Sequence, residues 1–489
     1  MRPMSQDQDA SQGTQADEAS AAPTPPLRCR VIDTVLGARV EAFLALYLVS
    51  RFMTATPIQD LLLRKACLNE LGVNATVCAR LDEDELVKDA AEQISSAAST
   101  AQNIVAMAPS CAVAIFIGPW CDKYGYRMPL VVATLGFMAT TALNLMTVYR
   151  LEMPLYANIL SSLPDGLCGG LITVFAAVHS VAAVTTGVKG RRARFFGLSM
   201  VIVLFITLGG FLGGQLYGRY GLVTVLGVSL VLASTAVLWA FFAIKDSVRP
   251  EHARDGIALK LRNLAQANNL CDGFRSSIKP RPRKGRAQIW CLFGATCCIV
   301  IEQSSKVIDY YYARKMYSWN VAHYTTVKTV SSLACLVLYV PLIYLFLRVF
   351  KISDPAMAFV GAAFASGQMV VLGLAYTEWL YYLSQLVGIP TFLAKAGIRT
   401  HLSKIVGKDE MGKVFAFVSS FDSVVPLAAD VLLTWLFNVS ITFLPGLPYL
   451  AAAVIAGIAI GLMGYVTKVH RKYLTYEGMP DTETAPTCQ

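Results

Sequence analysis

Apolar runs close to twenty residues long recur along almost the whole chain, separated by polar turns. A helical run of that length matches the ~30 Å hydrocarbon core of a bilayer. Lipid offers backbone N–H and C=O groups no partners, so each run must close its hydrogen bonds within itself, as a helix does. Twelve runs are predicted, near 40–63, 99–119, 128–149, 154–183, 195–217, 222–244, 287–309, 323–347, 355–376, 379–402, 414–437 and 448–467. Only 15% of the 489 residues are charged and 55% are apolar, too little charge to clothe a soluble domain of this size. The mean hydropathy of +0.52 agrees. The chain is predicted to be an all-α polytopic membrane protein of two six-helix bundles, with the lipid bilayer as its first partner.

The net charge of +10 invites a nucleic-acid reading, which the placement of the charges removes. With both chain ends in the cytosol, thirty of the 42 Lys and Arg fall on the cytosolic side and eight on the other. Arg51, Lys306, Lys328 and Lys395 lie inside runs. That asymmetry sets orientation and supports an even number of spans. The organisation it predicts is a cytosolic N-terminal tail over 1–39, a bundle over 40–244, a basic cytosolic linker over 245–286, a second bundle over 287–467 and a cytosolic tail over 468–489. The first stretch, rich in Ser, Gln, Ala, Thr and Pro, has no apolar core of a signal peptide and reads as disordered. Tyr476-Glu-Gly-Met479 resembles a tyrosine sorting signal. The plasma membrane is the first expected location and a lysosomal or endosomal membrane the second.

The outer loop over about 64–98 carries Asn74-Ala75-Thr76, an N-glycosylation acceptor. Cys67 and Cys78 flank it on the oxidising side, where a disulfide or two free thiols are both open readings. Asn438-Val439-Ser440 is a second acceptor triplet, too close to the membrane to count. Cys111, Cys168, Cys297 and Cys298 show no metal-ligand spacing and read as packing residues. Neither a metal nor another cofactor is expected.

Gly118-Pro-Trp-Cys-Asp122-Lys123-Tyr-Gly125-Tyr-Arg127 follows the second run. It resembles the signature loop of the major facilitator superfamily: Gly, three residues, Asp, a basic residue, one residue, Gly, one residue, a basic residue. Such a loop suits a gating latch. Asp122 can face a helix N-terminus or a basic group of the other half, and Gly118 and Gly125 allow close approach. Gly209-Gly210-Phe-Leu-Gly213-Gly214 forms two overlapping small-xxx-small pairs, read as helix packing or as a sliding face between halves. Arg399-Thr-His-Leu-Ser-Lys404 and Asp409-Glu-Met-Gly412-Lys413, with Gly169-Gly170, Arg191-Arg192-Ala-Arg194 and Pro445-Gly446-Leu-Pro448, are similar to solute carrier family 46. The resemblance spans nearly the whole chain. It implies the major facilitator fold and movement of organic anions or related polar solutes, often with protons. The fifth run has no acid and the seventh no histidine, groups that support proton coupling in the folate-transporting branch. On these two points the sequence departs from the folate-transporting branch, so neither folate itself nor proton coupling through those residues follows from the resemblance.

Charges inside a bilayer cost about 2.5–3.5 kcal/mol each on insertion scales and therefore line cavities or pair with one another. Arg51, Asp165, Lys306 and Lys395 fall on runs one, four, seven and ten, which line the cavity in the superfamily architecture. With Arg399 they are the candidate substrate-binding residues. Glu302, Lys306 and Asp309 are spaced to share one helix face, so Glu302 and Asp309 are candidates for proton coupling, with ion pairing inside the helix as the alternative. Tyr310, Tyr311, Tyr312, Tyr381 and Tyr382 read as an interfacial belt. No HExxH or GxSxG motif points to an enzyme. The expectation is a secondary transporter of an organic anion or zwitterionic solute, folate-, muropeptide- or nucleotide-like, working by alternating access, with proton-coupled symport as an open option; a receptor on the same fold without turnover is the alternative.

Overall fold

The structure, a computed structural model, describes residues 27–78, 81, 84–185, 191–244, 284–350, 352–406 and 411–477. Helices occupy all twelve expected runs, and no strand occurs among the described residues. Span one is Leu27–Lys65, span two Glu85–Tyr124 and span three Arg127–Tyr149. Spans five and six share Arg191–Ala243, bent at Gly221. Span eight is Val321–Tyr344, span nine Asp354–Gly373, span eleven Met411–Ser440 and span twelve Leu447–Glu477.

The remaining three spans are broken. Span four comes in the pieces Leu155–Leu160, Leu163–Leu167 and Gly170–Thr185. Span seven is Gly285–Ser304, a 3-10 turn at Ser305–Val307, then Asp309–Tyr317. Span ten is Glu378–Val387, a 3-10 turn at Ile389–Thr391, then Phe392–Ile405. Gly169 and Gly170 take φ +85 and +46, values that glycine adopts at little cost, and thereby end the middle piece of span four. Pro390, which lacks an N–H, sits in the span-ten break.

Among the described residues, seven helices are long and apolar enough to cross a membrane. One of them, Gly197–Ala243 at 47 residues, runs about 70 Å and holds two crossings. Spans one, two, ten and eleven carry polar or charged groups along their length: Arg51 and Asp60; Ser95, Ser96, Ser99 and Thr100; Lys395 and Arg399; and Asp422 and Asp430. Span ten is broken into two short helices, and Val424–Ser440 of span eleven is apolar but shorter than the seven.

Each half has its own core. Phe43, Leu44 and Tyr47 of span one pack with Leu130 and Phe137 of span three, Val174 and Val178 of span four, Leu198 of span five and Ala233 and Ala236 of span six. In the second half Ile289 and Leu292 of span seven pack with Ala358, Ile398, Val418 and Met463 of spans nine to twelve.

Several boundaries move. The tail expected through residue 39 is helical from Leu27, directly after Pro25-Pro26, because nothing in 27–39 interrupts the helix of span one. Span twelve runs on to Glu477. The linker is described only from Lys284; 245–283 lie outside the described residues. The outer loop shrinks, since a π-turn at Ala66–Glu70 and the early start of span two at Glu85 take up its ends. Cys67 and Cys78 are joined by a disulfide with Cα atoms 5.9 Å apart. Asn74 is exposed within that closed loop and precedes the short helix Ala75–Cys78. Asn74→Gln should abolish a glycosidase-sensitive shift in electrophoretic mobility. A wild-type chain that runs identically before and after the enzyme would overturn the assignment.

Candidate functional site

The broken helix of span four explains how a buried acid meets span one. Asp165 sits on the piece Leu163–Leu167, wedged against span two: a Cβ at Gly166 would lie 2.7 Å from the Val105 carbonyl oxygen. Its backbone N–H donates to Thr140 Oγ1 of span three at 3.3 Å. The carboxylate accepts both guanidinium nitrogens of Arg51, at 3.0 and 2.7 Å. Arg51 also donates to the Tyr47 hydroxyl at 3.3 Å and lies over the Phe137 ring, 5.3 Å from its centroid. Arg51 and Asp165, expected as separate binding groups, are thus one bidentate pair. The partner of Arg51 comes from span four, 114 positions away.

The seventh span departs further from expectation. An unbroken helix would put Glu302, Lys306 and Asp309 on one face. The 3-10 turn separates them: Glu302 and Asp309 are buried, while Lys306 is exposed. Asp309 pairs with Lys328 of span eight. It also accepts from the hydroxyls of Tyr324 at 3.3 Å, Tyr381 at 3.3 Å and Tyr449 at 3.2 Å. An intrahelical pair with Lys306 is therefore ruled out by the turn, and Asp309 has its valences filled. The tyrosines do not form a belt either: Tyr310, Tyr311, Tyr312 and Tyr381 are all buried, and Tyr382 alone of that set is exposed. Buried hydroxyls require partners, and these find them in acids and carbonyls. Tyr312, for example, donates to the Leu372 and Ala375 carbonyls.

What remains between spans seven, ten and eleven is less completely paired. Glu302 is 4% exposed and makes no ion pair among the described residues. The charges that bear on it are Lys306 and Lys395. Lys395 donates to the neutral amide of Gln303, Nζ to Oε1 at 2.8 Å. Arg399, one turn on, holds Asp422 of span eleven at 3.1 Å, leaving Asp422 Oδ1 buried with no hydrogen bond among the described residues. Arg399 also bears on His179 of span four, across the division between the halves. Charged groups of spans seven, ten and eleven therefore converge, with His179 of span four beside them, and Glu302 and Lys395 are not spent on each other.

Of the expected gating residues, the side chains of Gly118, Asp122 and Lys123 lie outside the described ones. Their backbone belongs to span two, which runs on to Tyr124, so the turn itself is Gly125-Tyr126. Gly125 takes φ 93, and the Arg127 guanidinium lies 3.9 Å from the Phe241 ring centroid of span six, within its own half.

A gate that the sequence did not reveal joins the halves at the Asn74 end. Asp60 of span one accepts from Tyr310 at 3.0 Å and from Arg314 at 3.2 Å, both of span seven, and from Tyr217 of span five. Asp89 pairs with Lys315. Ser96 donates to Asn438 Oδ1 at 2.6 Å, and Thr100 meets Thr434 at 2.6 Å. Arg314 and Lys315 lie beyond the seventh run expected to end at 309, and the continuation of span seven as Asp309–Tyr317 turns them toward the first half.

Two bundles with separate cores, meeting through broken helices that carry charge, define a secondary transporter rather than an enzyme. The chain belongs to the major facilitator superfamily, whose family model matches residues 86–430. Within that superfamily its relatives are solute carriers. A probable peptidoglycan muropeptide transporter from Drosophila melanogaster is 21% identical, covering 89% of this chain and 87% of that one. The proton-coupled folate transporter of Rattus norvegicus is 24% identical over 82% and 86%. Solute carrier family 46 member 2 of Canis lupus familiaris is 22% identical over 75% and 79%. The fold is similar to crystal structures of the human organic anion transporter MFSD10, with TM-score 0.56, 12% identity and 87% and 99% coverage. A peptide transporter POT mutant gives TM-score 0.59, 14% identity and 90% and 99% coverage.

Proposed function

We propose that this transporter carries an anionic or zwitterionic organic solute, bound by Lys395, Lys306 and Arg399, with Glu302 as the proton-coupling group. The observation that carries the reading is the state of Lys395. It is a cation inside a span whose hydrogen-bonded partner is a neutral amide. Arg51 and Lys328 each hold a buried carboxylate and are mostly enclosed, whereas Arg399, though paired with Asp422, keeps 60% of its side chain exposed. A charge kept in a span without such a partner is expensive unless a ligand completes it. Relatives named for folate and for muropeptides, both carrying carboxylates, fit the same chemistry.

In this reading Asp165 keeps Arg51 oriented and is not itself a substrate ligand. Asp309 gives up its expected proton-coupling role to Glu302, because Lys328 and three tyrosines already satisfy it. Glu302, adjacent to Gln303 on the same helix, exchanges a proton as Lys395 and Lys306 turn toward the substrate. Cargo moves by rocking of the halves, and the plasma membrane is the proposed location.

Uptake into proteoliposomes tests this. Lys395→Ala removes a charge-assisted contact of about 1.5–3 kcal/mol, so KM for an anionic substrate should rise about ten- to hundredfold at unchanged protein yield. Glu302→Gln should flatten the dependence of uptake on pH. Wild-type affinity in the first and a wild-type pH response in the second would place the site elsewhere.

A further inference from the structure

The gate at the Asn74 end contains a carboxylate that the binding site does not use. Glu92 lies on span two, before the membrane core expected over 99–119, and is fully buried. Neither of its oxygens has a hydrogen-bond partner among the described residues. A buried polar group without a partner is rare in a native protein, and a buried unpaired charge is rarer.

The surroundings show why it stands alone. The charged groups facing it are Lys88 and Asp89 on its own helix and Arg314 and Lys315 on the last piece of span seven. Tyr311, also on that piece, is close enough for Glu92 to act on it. Each is engaged elsewhere. Lys88 donates to Ser318 Oγ at 3.3 Å, and Asp89 holds Lys315. Arg314 gives its terminal nitrogen to Asp60, while its Nε, buried, has no partner. Tyr311 exchanges hydrogen bonds with Ser95. In the closed form Glu92 is out of water, and no neighbouring cation donates a hydrogen bond to it among the described residues.

We infer that Glu92 is a proton-binding site in the gate and that sealing the Asn74 end takes up a proton there. The neutral acid is the form that tolerates this enclosure. When the halves part at this end, water reaches the carboxylate and it ionises. Enclosure without a hydrogen-bond donor disfavours the charged carboxylate in the sealed form. An exposed glutamate titrates at about 4.3. The sign follows from linkage: the sealed form binds the proton more tightly, so acidity favours it. Its advantage grows as pH falls and saturates once the exposed carboxylate is itself protonated, below about 4.3. The proton is gained and lost at one end only, so this device sets which state is populated and differs from a proton carried with the substrate at Glu302.

The inference rests on alternating access, and its test needs no substrate. Fluorophores on the full chain in lipid nanodiscs, at Leu151 and Phe443, would report the distance between halves at this end; both side chains are exposed. The sealed-to-open ratio of the wild type should rise as pH falls from about 8 to 5, by up to about tenfold per unit. Glu92→Gln, a permanently neutral analogue, should hold a high ratio with no pH slope, and Glu92→Asp should keep a slope. Glu92→Met serves the same purpose should the amide variant not fold. Switching whose slope is unchanged in Glu92→Gln overturns the inference alone. One fixed distance at every pH overturns the alternating-access reading with it.

Discussion

Arg51→Ala and Asp165→Ala should each abolish uptake and destabilise the chain by about 3–5 kcal/mol, the usual consequence of leaving one member of a buried ion pair behind. The pair is well enclosed: the Asp165 side chain is 4% exposed and that of Arg51 21%. The double variant Arg51→Met/Asp165→Leu should regain much of the stability, because no charge is then left without its partner. It should not regain uptake, because the guanidinium fork is what ties span four to span one while the N-terminal half moves as a unit. Thermal unfolding in detergent and uptake in liposomes separate the two effects. Equal stability of the single and double variants would mean that the pair is not formed in the protein.

Gly213→Leu should prevent folding and delivery to the membrane altogether, whereas Gly210→Ala, three residues earlier in the same motif, should be silent. The contrast comes from what each glycine faces. A Cβ at Gly213 would collide with the Met53 carbonyl and lie 2.6 Å from the Met53 Cα, so the obstacle is backbone of span one and cannot swing aside. Nothing lies within 4 Å of a Cβ at Gly210. Overpacking of a close interface costs about 1–3 kcal/mol for a small excess and more for a whole side chain. Gly214 gives the intermediate case. Its Cβ would strike Thr325 of span eight, in the other half, so Gly214→Ala should leave the bundles folded and loosen the sealed end. Surface delivery of all three, compared side by side, would expose an error in the packing: a silent Gly213→Leu contradicts it directly.

The glycine motif also shows how far a sequence reaches. Its small-xxx-small spacing announces close helix packing but not the partner. Gly209 and Gly213 seat span one within their own half, at Val49 and Met53, and Gly214 meets the opposite half. The packing reading holds, and it divides between the two halves among residues one position apart. A helical period places such neighbours about 100° apart, and only the arrangement of surrounding helices decides what each direction meets.

Hydropathy and charge placement were sufficient for the all-helical class, the run positions and the division into halves. They are local properties, set by bilayer thickness and the need to satisfy backbone groups within a segment. Arg51, Asp165, Glu302, Lys306 and Lys395 were visible for a similar reason, as charges where apolar residues belong. Their pairing was not visible. Arg51 finds Asp165, and Asp309 finds Lys328 rather than Lys306, because the breaks in spans four and seven redirect side chains that an unbroken helix would align. The gate of Asp60, Arg314 and Tyr310, and the enclosed Glu92 beside it, were hidden because their partners lie hundreds of positions away and share no period with them. Sequence determined which residues are costly to bury; the tertiary structure alone decided which of those costs are offset by a partner and which are left to a substrate or a proton.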